Sequence, residues 1–190
     1  MKKKGLIILV AVIAVIVVIA LSLAGIYNGM VEKQQSVEEA QSTISAQLQR
    51  RADLIPNFLS SVKGYTDYEQ STYTAVTEAR SAVSKASTVE ETQAAEDRLN
   101  GAISVWVNAV TEAYPDLKAN DQFIAFEDEL AGTENRIMQA RKDYNAVAKE
   151  YNVSIKKFPR NIFASLFGFE KADYFESTDA AESVPQVSFE

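Results

Sequence analysis

The amino-acid sequence predicts an all-α protein, with an N-terminal transmembrane helix followed by an antiparallel, up-and-down four-helix bundle of long helices. Residues 5–26 contain no charged residue. As a helix they would be about 33 Å long, enough to cross the roughly 30 Å hydrocarbon core of a bilayer. Beyond them, apolar residues recur at intervals of three and four, which is the period of amphipathic helices. The 190 residues include only four Pro and seven Gly, so few positions interrupt a helix.

The flanks of the apolar run predict how the chain sits in the membrane. Lys2–Lys4 precede the run, and basic flanks of a first span tend to stay in the cytoplasm. We therefore expect a signal-anchor in the cytoplasmic (inner) membrane, with the basic tip 1–4 inside, a single pass over 5–26 and the bundle outside. The opposite topology is one alternative. Another is a signal peptide cleaved after Ser22-Leu23-Ala24, although signal h-regions run only to about 15 residues.

Composition excludes several classes of function. Lys2–Lys4 account for three of the 19 basic residues, so the 26 acidic residues outnumber the remainder by ten. An acidic domain lacks the phosphate-neutralising charge of nucleic-acid binders. The chain has no Cys and no His, which removes the usual zinc ligands and the commonest general base. Two Ser-x-x-Lys pairs, Ser60/Lys63 and Ser154/Lys157, occur at about the frequency expected by chance. We therefore expect no enzyme, no cofactor, no nucleic acid and no small-molecule substrate.

Caps and helix breakers indicate where the helices beyond the span begin and end. Asp53 and Pro56 favour the start of a second helix, because proline suits the first helical turn. Ser87-Thr88, followed by acidic residues, indicates the start of the third. Pro115 ends that helix, and Asp121 can cap the fourth. The apolar seam predicted for the second helix consists of Phe58, Val62, Tyr65, Tyr73, Val76 and Val83.

Short links between these helices imply an up-and-down order over residues 27–155, with coiled-coil-like packing. The links 51–56 and 114–121 would then meet at the far end of the bundle, and the fourth helix would return to the bilayer. The alternative is one very long helix over 27–86 that is kinked at Pro56, which would leave three helices.

Several ordered motifs carry a resemblance to a known family. They include QLQRRADLIPNF at 47–58, AYPDLKAN at 113–120 and FGFE at 167–170. With Tyr-Asn pairs at 27, 144 and 151, the pattern over residues 6–170 resembles the LemA family of bacterial membrane proteins. The resemblance implies an anchored four-helix bundle and brings no established reaction with it.

The two most specific motifs are expected to share the far tip of the bundle, where they would form a docking site for a partner protein. Arg and Tyr are frequent anchors of such interfaces. The alternative is turn and capping chemistry, with Arg50 or Arg51 bridging to Asp116. The candidate docking residues are Arg50, Arg51, Asp53, Pro56, Asn57, Tyr114, Pro115, Asp116, Leu117, Lys118 and Asn120.

A second candidate surface lies near the membrane. Residues 156–170 are basic and aromatic, which is typical of segments that bind anionic headgroups. The alternative is that their aromatic residues close the base of the bundle. The Tyr-Asn pairs are expected to converge near the membrane and to pin the fourth helix to the first, with an interfacial role for the tyrosines as the alternative. The acidic tail 171–190 is expected to be disordered. The candidate membrane-proximal residues are Tyr27, Asn28, Tyr144, Asn145, Tyr151, Asn152, Lys156, Lys157, Phe158, Arg160, Phe163 and Phe167.

The sequence thus predicts a membrane-anchored, non-catalytic scaffold or adaptor whose partners are membrane lipid and a protein. One alternative is a self-assembling bundle that organises or remodels the membrane. Small residues at Ala20/Ala24 and Gly25/Gly29 would permit a homo-oligomer through the span. The other is an extracytoplasmic sensor, which is disfavoured because only residues 1–4 would lie inside.

Overall fold

The computed structural model describes the backbone of residues 2–61 and 70–176 and the side chains of residues 5–58 and 74–176. These residues form helices with no strand, which confirms the all-α class. The helices are α1 (Lys2–Ser61), α2 (Gln70–Lys85), α3 (Val89–Ala113), α4 (Asp121–Lys156) and α5 (Arg160–Phe167), with a 3-10 turn at Pro115–Ala119. The predicted seam residues Val62 and Tyr65, the Tyr73 side chain and tail residues 177–190 lie outside the described set.

The N-terminal apolar run forms the first part of α1. The most apolar window of this helix has no side chain buried inside the protein, and it is long and apolar enough to cross a membrane. Its large apolar side chains, from Leu6 to Leu21, are about half exposed or more. Such exposure is costly in water and favourable in hydrocarbon, so this part of α1 fits a single-pass membrane anchor.

α1 does not end at Pro56, so the predicted helix break at 51–56 is wrong. The helix runs through Pro56 to Ser61, although an interior proline costs a helix roughly 3 kcal/mol. Ile55 and Phe58 on either side are 0% and 6% exposed. Burial of each such side chain is worth about 1.5–3 kcal/mol, so packing offsets the penalty. Asp53 caps no helix here, and its carboxylate instead pairs with Arg80 at 2.8 Å.

The start of α3 follows the predicted capping chemistry. Thr88 is the N-cap, and its Oγ1 accepts from the Glu91 N–H at 3.1 Å. Glu91 Oε2 accepts in return from the N–H groups of Thr88, at 3.2 Å, and Ser87, at 2.8 Å. These bonds hold the pKa of Glu91 below its ordinary value. At α4 the predicted cap is displaced by one residue, because Asn120 Oδ1 accepts from the Gln122 N–H at 2.9 Å and Asp121 is the first helical residue.

The described residues divide into two compact units, one within 2–40 and 146–172 and the other within 41–61, 70–145 and 173–176. The second unit holds an aromatic core. Phe58 of α1 stacks on Phe126 of α4 with ring centroids 4.6 Å apart, and it contacts Trp106 of α3 edge-on at 6.0 Å. Phe123 of α4 joins them at 5.7 Å from Phe58.

Polar pairs in this second unit give the directions of neighbouring helices. Ser84 donates to Gln49 at 3.0 Å while Arg80 pairs with Asp53, so α1 and α2 run antiparallel. Arg141 of α4 reaches Glu96 of α3 at 3.4 Å. Trp106, further along α3, contacts Phe126, earlier in α4, at 5.8 Å. α3 and α4 are therefore antiparallel as well.

In the first unit, the residues of α1 just after the apolar run pack against the end of α4 and against α5. Lys33 of α1 pairs with Glu150 of α4 at 3.3 Å. Met30 is fully buried and Tyr151 is 3% exposed. Tyr27 contacts the rings of Phe167 and Phe169 edge-on at 5.2 and 5.7 Å. These contacts place α5 beside the first residues of α1 beyond the apolar run.

Candidate functional site

After α5 the chain follows a non-helical path, residues 169–176, which we call the C-terminal segment. It leaves α5 through Gly168, whose φ of 75° lies in the left-handed region that glycine adopts without strain. Side chains of α4 hold its backbone in each of the two units.

In the first unit, Tyr151 and Asn152 form what we call the Asn152 clamp. Asn152 Nδ2 donates to the Ala172 carbonyl at 2.8 Å, and the Ala172 N–H donates to Asn152 Oδ1 at 2.9 Å. The Tyr151 hydroxyl donates to the Glu170 carbonyl at 2.8 Å. Burial raises the pKa of the Tyr151 hydroxyl, helped by the charge of Glu170. The hydroxyl therefore stays protonated and remains a donor over a wide pH range.

In the second unit, Arg141, Tyr144 and Asn145 form the Asn145 clamp. Asn145 Nδ2 donates to the Phe175 carbonyl at 2.9 Å, and the Phe175 N–H donates to Asn145 Oδ1 at 3.0 Å. The Tyr144 hydroxyl donates to the Asp173 carbonyl at 3.0 Å, and Arg141 donates to the Glu176 carbonyl. This clamp thus pairs with main-chain atoms of three of the four residues in Asp173–Glu176.

The Asn145 clamp also holds one aromatic side chain. Phe175 is 3% exposed. Its ring meets Tyr144 edge-on at 5.0 Å, and the Arg141 guanidinium carbon lies 5.3 Å from its centroid. Arg141 is itself positioned by Glu96, at 3.4 Å. A T-shaped pair and a cation–π contact are each worth on the order of 1 kcal/mol beyond area burial.

These contacts correct two expectations. Residues 171–176 were expected to belong to a disordered tail, but they are held by main-chain hydrogen bonds and by burial of Phe175. The Tyr-Asn pairs of α4 were expected to pin that helix to α1, but they bind the C-terminal segment instead. Tyr27, expected to join them, contacts the aromatic residues at 167 and 169.

α5 and the residue before its proline present an apolar surface, which we call the α5 face (Phe158, Ile162 and Leu166). These side chains are 81%, 55% and 72% exposed, whereas Ala164 is 4% exposed and packs inward. Arg160 points the other way and donates to Ser154 at 2.8 Å. The predicted interfacial residues Lys156, Lys157 and Phe158 are exposed, whereas Phe163 is half-buried.

The predicted tip residues on α1 are engaged in ion pairs. Arg50 pairs with Glu129 at 2.7 Å, and Arg51 pairs with Glu134. Both partners belong to α4, so neither arginine makes the expected bridge to Asp116. In the connection between α3 and α4, Leu117 is fully buried, whereas Asp116 and Lys118 are exposed. Docking of a partner protein at the connection between α3 and α4 remains a prediction, and the exposed charges of Asp116 and Lys118 are its candidates.

A buried ion pair lies between α3 and α4. Glu96 is 4% exposed, and desolvation raises the pKa of its carboxyl group, while the charge of Arg141 opposes the rise. Burial also lowers the pKa of Arg51, and the charge of Glu96 acts against this. Among the described residues, no group of three or more His, Cys, Asp or Glu side chains could hold a metal ion.

Comparison with known proteins places these elements in a family. The LemA family model matches residues 40–189, a range that takes in α2 to α5 and both clamps. Protein LemA of Metamycoplasma hominis is 28% identical over 157 residues, covering 80% of this chain and 69% of that protein.

Magnetosome proteins are also similar to this chain. MamQ of Magnetospirillum gryphiswaldense is 25% identical over 189 residues, covering 85% of this chain and 70% of that protein. MamQ 2 of Paramagnetospirillum magneticum is 39% identical over 75 residues, which cover 40% of this chain and 28% of that protein. The chain thus spans little more than a quarter of that relative. Since the family model covers most of the chain, and the motifs and helices agree with it, this protein belongs to the LemA family.

Proposed function

We propose that this protein is a non-catalytic, membrane-anchored scaffold. The part of α1 beyond residue 26 forms an up-and-down four-helix bundle with α2–α4 outside the cytoplasmic membrane, and α5 makes a second contact with the bilayer surface. The observation that carries the proposal is the α5 face beside Tyr27. Tyr27 directly follows the apolar run 5–26 and contacts Phe167 at the end of α5. At ~1.5 Å rise per residue, α5 then lies within a few ångströms of the end of that run.

The chemistry of the segment supports a role at the interface. Ile162 and Leu166 lie about one turn apart on α5, Phe158 lies in the turn before it, and all three side chains are exposed. Lys156 and Lys157 precede this α5 face and would meet lipid headgroups. Apolar residues on one side and basic residues at the edge are typical of helices that lie in the membrane surface. In an acidic chain, a basic segment at this position favours anionic lipid.

Site-directed spin labelling tests the proposal, because a chain without Cys gives each introduced thiol a unique label. The full chain is reconstituted in nanodiscs with a nitroxide at Ile162→Cys, Leu166→Cys or, as the matched control, Asn161→Cys. We expect oxygen to relax labels 162 and 166 more than a water-soluble nickel chelate does, and the reverse at 161. Preference for the nickel chelate at all three positions would contradict a lipid contact.

The topology is tested separately in spheroplasts. Lys2–Lys4 favour an external bundle, so added protease should digest residues 27–190 while a cytoplasmic marker survives. Protection of the bundle until lysis would reverse the orientation.

The scaffold role requires a protein partner, and we expect it at the connection between α3 and α4. There Asp116 and Lys118 are exposed while Leu117 anchors the turn. Asp116→Lys combined with Lys118→Glu should leave the helical melting curve unchanged and remove an envelope protein that co-purifies with the wild type. Loss of the fold instead would assign these residues to turn chemistry.

A further inference from the structure

We propose that the Asn145 clamp is a recognition site for an extended peptide that carries a buried aromatic residue, and that a second copy of this chain can supply the peptide. In the chain itself the site is filled by Asp173–Glu176. Binding at this site does not require the lipid contact of α5.

The Asn145 clamp binds its segment through main-chain atoms. Asn145 bonds to both the N–H and the carbonyl of Phe175, and Tyr144 and Arg141 take the carbonyls of Asp173 and Glu176. A side-chain amide that pairs with both groups of one residue replaces the hydrogen bonds of a neighbouring strand. Recognition by main-chain bonds, with a pocket for one side chain, is how sheet edges bind peptides. The clamp supplies the same chemistry from a helix.

One side chain supplies the specificity. Phe175 is almost fully buried between Tyr144 and Arg141. Tyr174, its neighbour, is 39% exposed, and Asp173 and Glu176 are exposed as well. The site therefore selects an aromatic residue at the position of Phe175.

The arginine that covers Phe175 also has a partner outside the segment. Arg141 pairs with Glu96, which is 4% exposed and belongs to α3. The recognition surface is thus built from helix residues, and Glu96 helps to position its cation. A site organised in this way loses less entropy on binding.

The second copy is the occupant that best fits this chemistry. Its own Asp173–Glu176 carries the same backbone and the same Phe, so it fits the site without adjustment. Exchange of identical elements between protomers is a low-cost route to association. The exchanged piece is short and non-helical, and no helix has to be transferred with it. Anchoring through α1 would confine all copies to one surface, which raises their effective concentration.

The test uses two full-length variants that complement each other. Phe175→Asp leaves the clamp intact but removes the aromatic residue of the segment. Asn145→Ala keeps the segment but removes the two bonds of the clamp. Tagged Phe175→Asp and untagged Asn145→Ala chains are reconstituted together, solubilised and captured through the tag. We expect at least fivefold more untagged chain than when either variant is paired with itself.

A residue-level readout identifies the contact. The Phe175 N–H of the Asn145→Ala chain should exchange rapidly with solvent deuterium when that variant is alone, and regain protection in the mixture. Equal capture in the mixed and self-paired samples, with no regained protection, would overturn the proposal. Far-ultraviolet circular dichroism checks the fold of each variant. Phe175→Ala and Asn145→Leu, which also removes both bonds of the clamp, replace the first pair if either variant has lost helicity.

Discussion

The side-chain amide of Asn145 pairs with both main-chain groups of Phe175, through bonds of 2.9 and 3.0 Å. Asn152 makes the same double pairing with Ala172. In each case the tyrosine that precedes the asparagine takes the carbonyl two residues earlier in the segment. Each Tyr-Asn pair on α4 therefore binds non-helical backbone, and the two pairs, seven residues apart, make the same set of hydrogen bonds.

Asn152→Ala should loosen the C-terminal segment. Asn152 is 3% exposed, and its removal leaves the Ala172 N–H and carbonyl without partners. Unsatisfied groups of this kind cost about 1–3 kcal/mol each when they remain buried, so we expect destabilisation on that order and faster deuterium exchange over 170–172. Asn152→Asp keeps the acceptor and should show a smaller effect. The exposed Asn161→Ala is the control, and an equal effect there would contradict the assignment.

The sequence could predict the elements whose signals are local. The apolar run of α1, the Thr88/Glu91 capping box and the long apolar period of α4 each depend on residues within a few turns of one another. All three are present in the structure.

The errors came from interactions between distant residues. Pro56 is a local helix breaker, but Ile55 and Phe58 are buried against other helices, and this burial decides the backbone there. The acidic composition of the tail predicts disorder from residue 171, whereas the α4 side chains that hold residues 170–175 stand 19 to 30 residues earlier in the chain. One signal was available. Asn145 and Asn152 are seven residues apart, which is ~10.5 Å along a helix. Three extended residues span ~10 Å, so two asparagines at this spacing can bind an extended chain at positions three residues apart.

Pro56→Ala should stabilise the protein. Because Pro56 lies inside α1, alanine restores an N–H donor and removes the ring clash with the preceding turn. We expect the free energy of unfolding to rise by about 1–3 kcal/mol, less the entropy that proline removes from the unfolded chain. Guanidinium unfolding in detergent, followed by circular dichroism, measures it. If a helix instead began at Pro56, the substitution would cost stability. Ser42→Ala, at an exposed position of α1, controls for helix propensity.

Phe126→Ala should strongly destabilise the aromatic core. The Phe126 ring lies 4.6 Å from Phe58 and 5.8 Å from Trp106. Truncation of a buried phenylalanine costs about 3–5 kcal/mol. Trp106 is the only tryptophan in the chain and is 1% exposed, so its emission reports unfolding of this core directly. Ile124→Ala, two residues away and 45% exposed, should change stability by about 0.5 kcal/mol. Equal losses at both positions would contradict the packing.

Glu96 should make stability fall as pH rises. Burial raises the pKa of this carboxyl group above its ordinary value of 4.5, because the charged form is desolvated. Between 4.5 and the raised pKa, the folded protein therefore holds a proton that the unfolded chain has released. Since the folded state then binds more protons, the free energy of unfolding decreases with increasing pH across that window. Glu96→Gln should remove this decrease.

Glu91, the glutamate of the capping box, should change stability with pH in the direction opposite to Glu96. Hydrogen bonds from Ser87 and Thr88 lower the pKa of Glu91, so its contribution is present above the unfolded pKa and is lost as pH falls. The free energy of unfolding, measured with urea at a series of acidic and neutral pH values, should change its pH dependence in opposite directions in the two variants. Glu96→Gln should remove a decrease of this free energy with rising pH, and Glu91→Gln should remove an increase. Glu96→Gln also removes the charged partner of Arg141, but this loss shifts the free energy of unfolding by a similar amount at every pH. The slope of that free energy against pH therefore reports the proton uptake alone. If Glu96→Gln leaves the slope unchanged, Glu96 takes up no proton on folding and the desolvation argument fails.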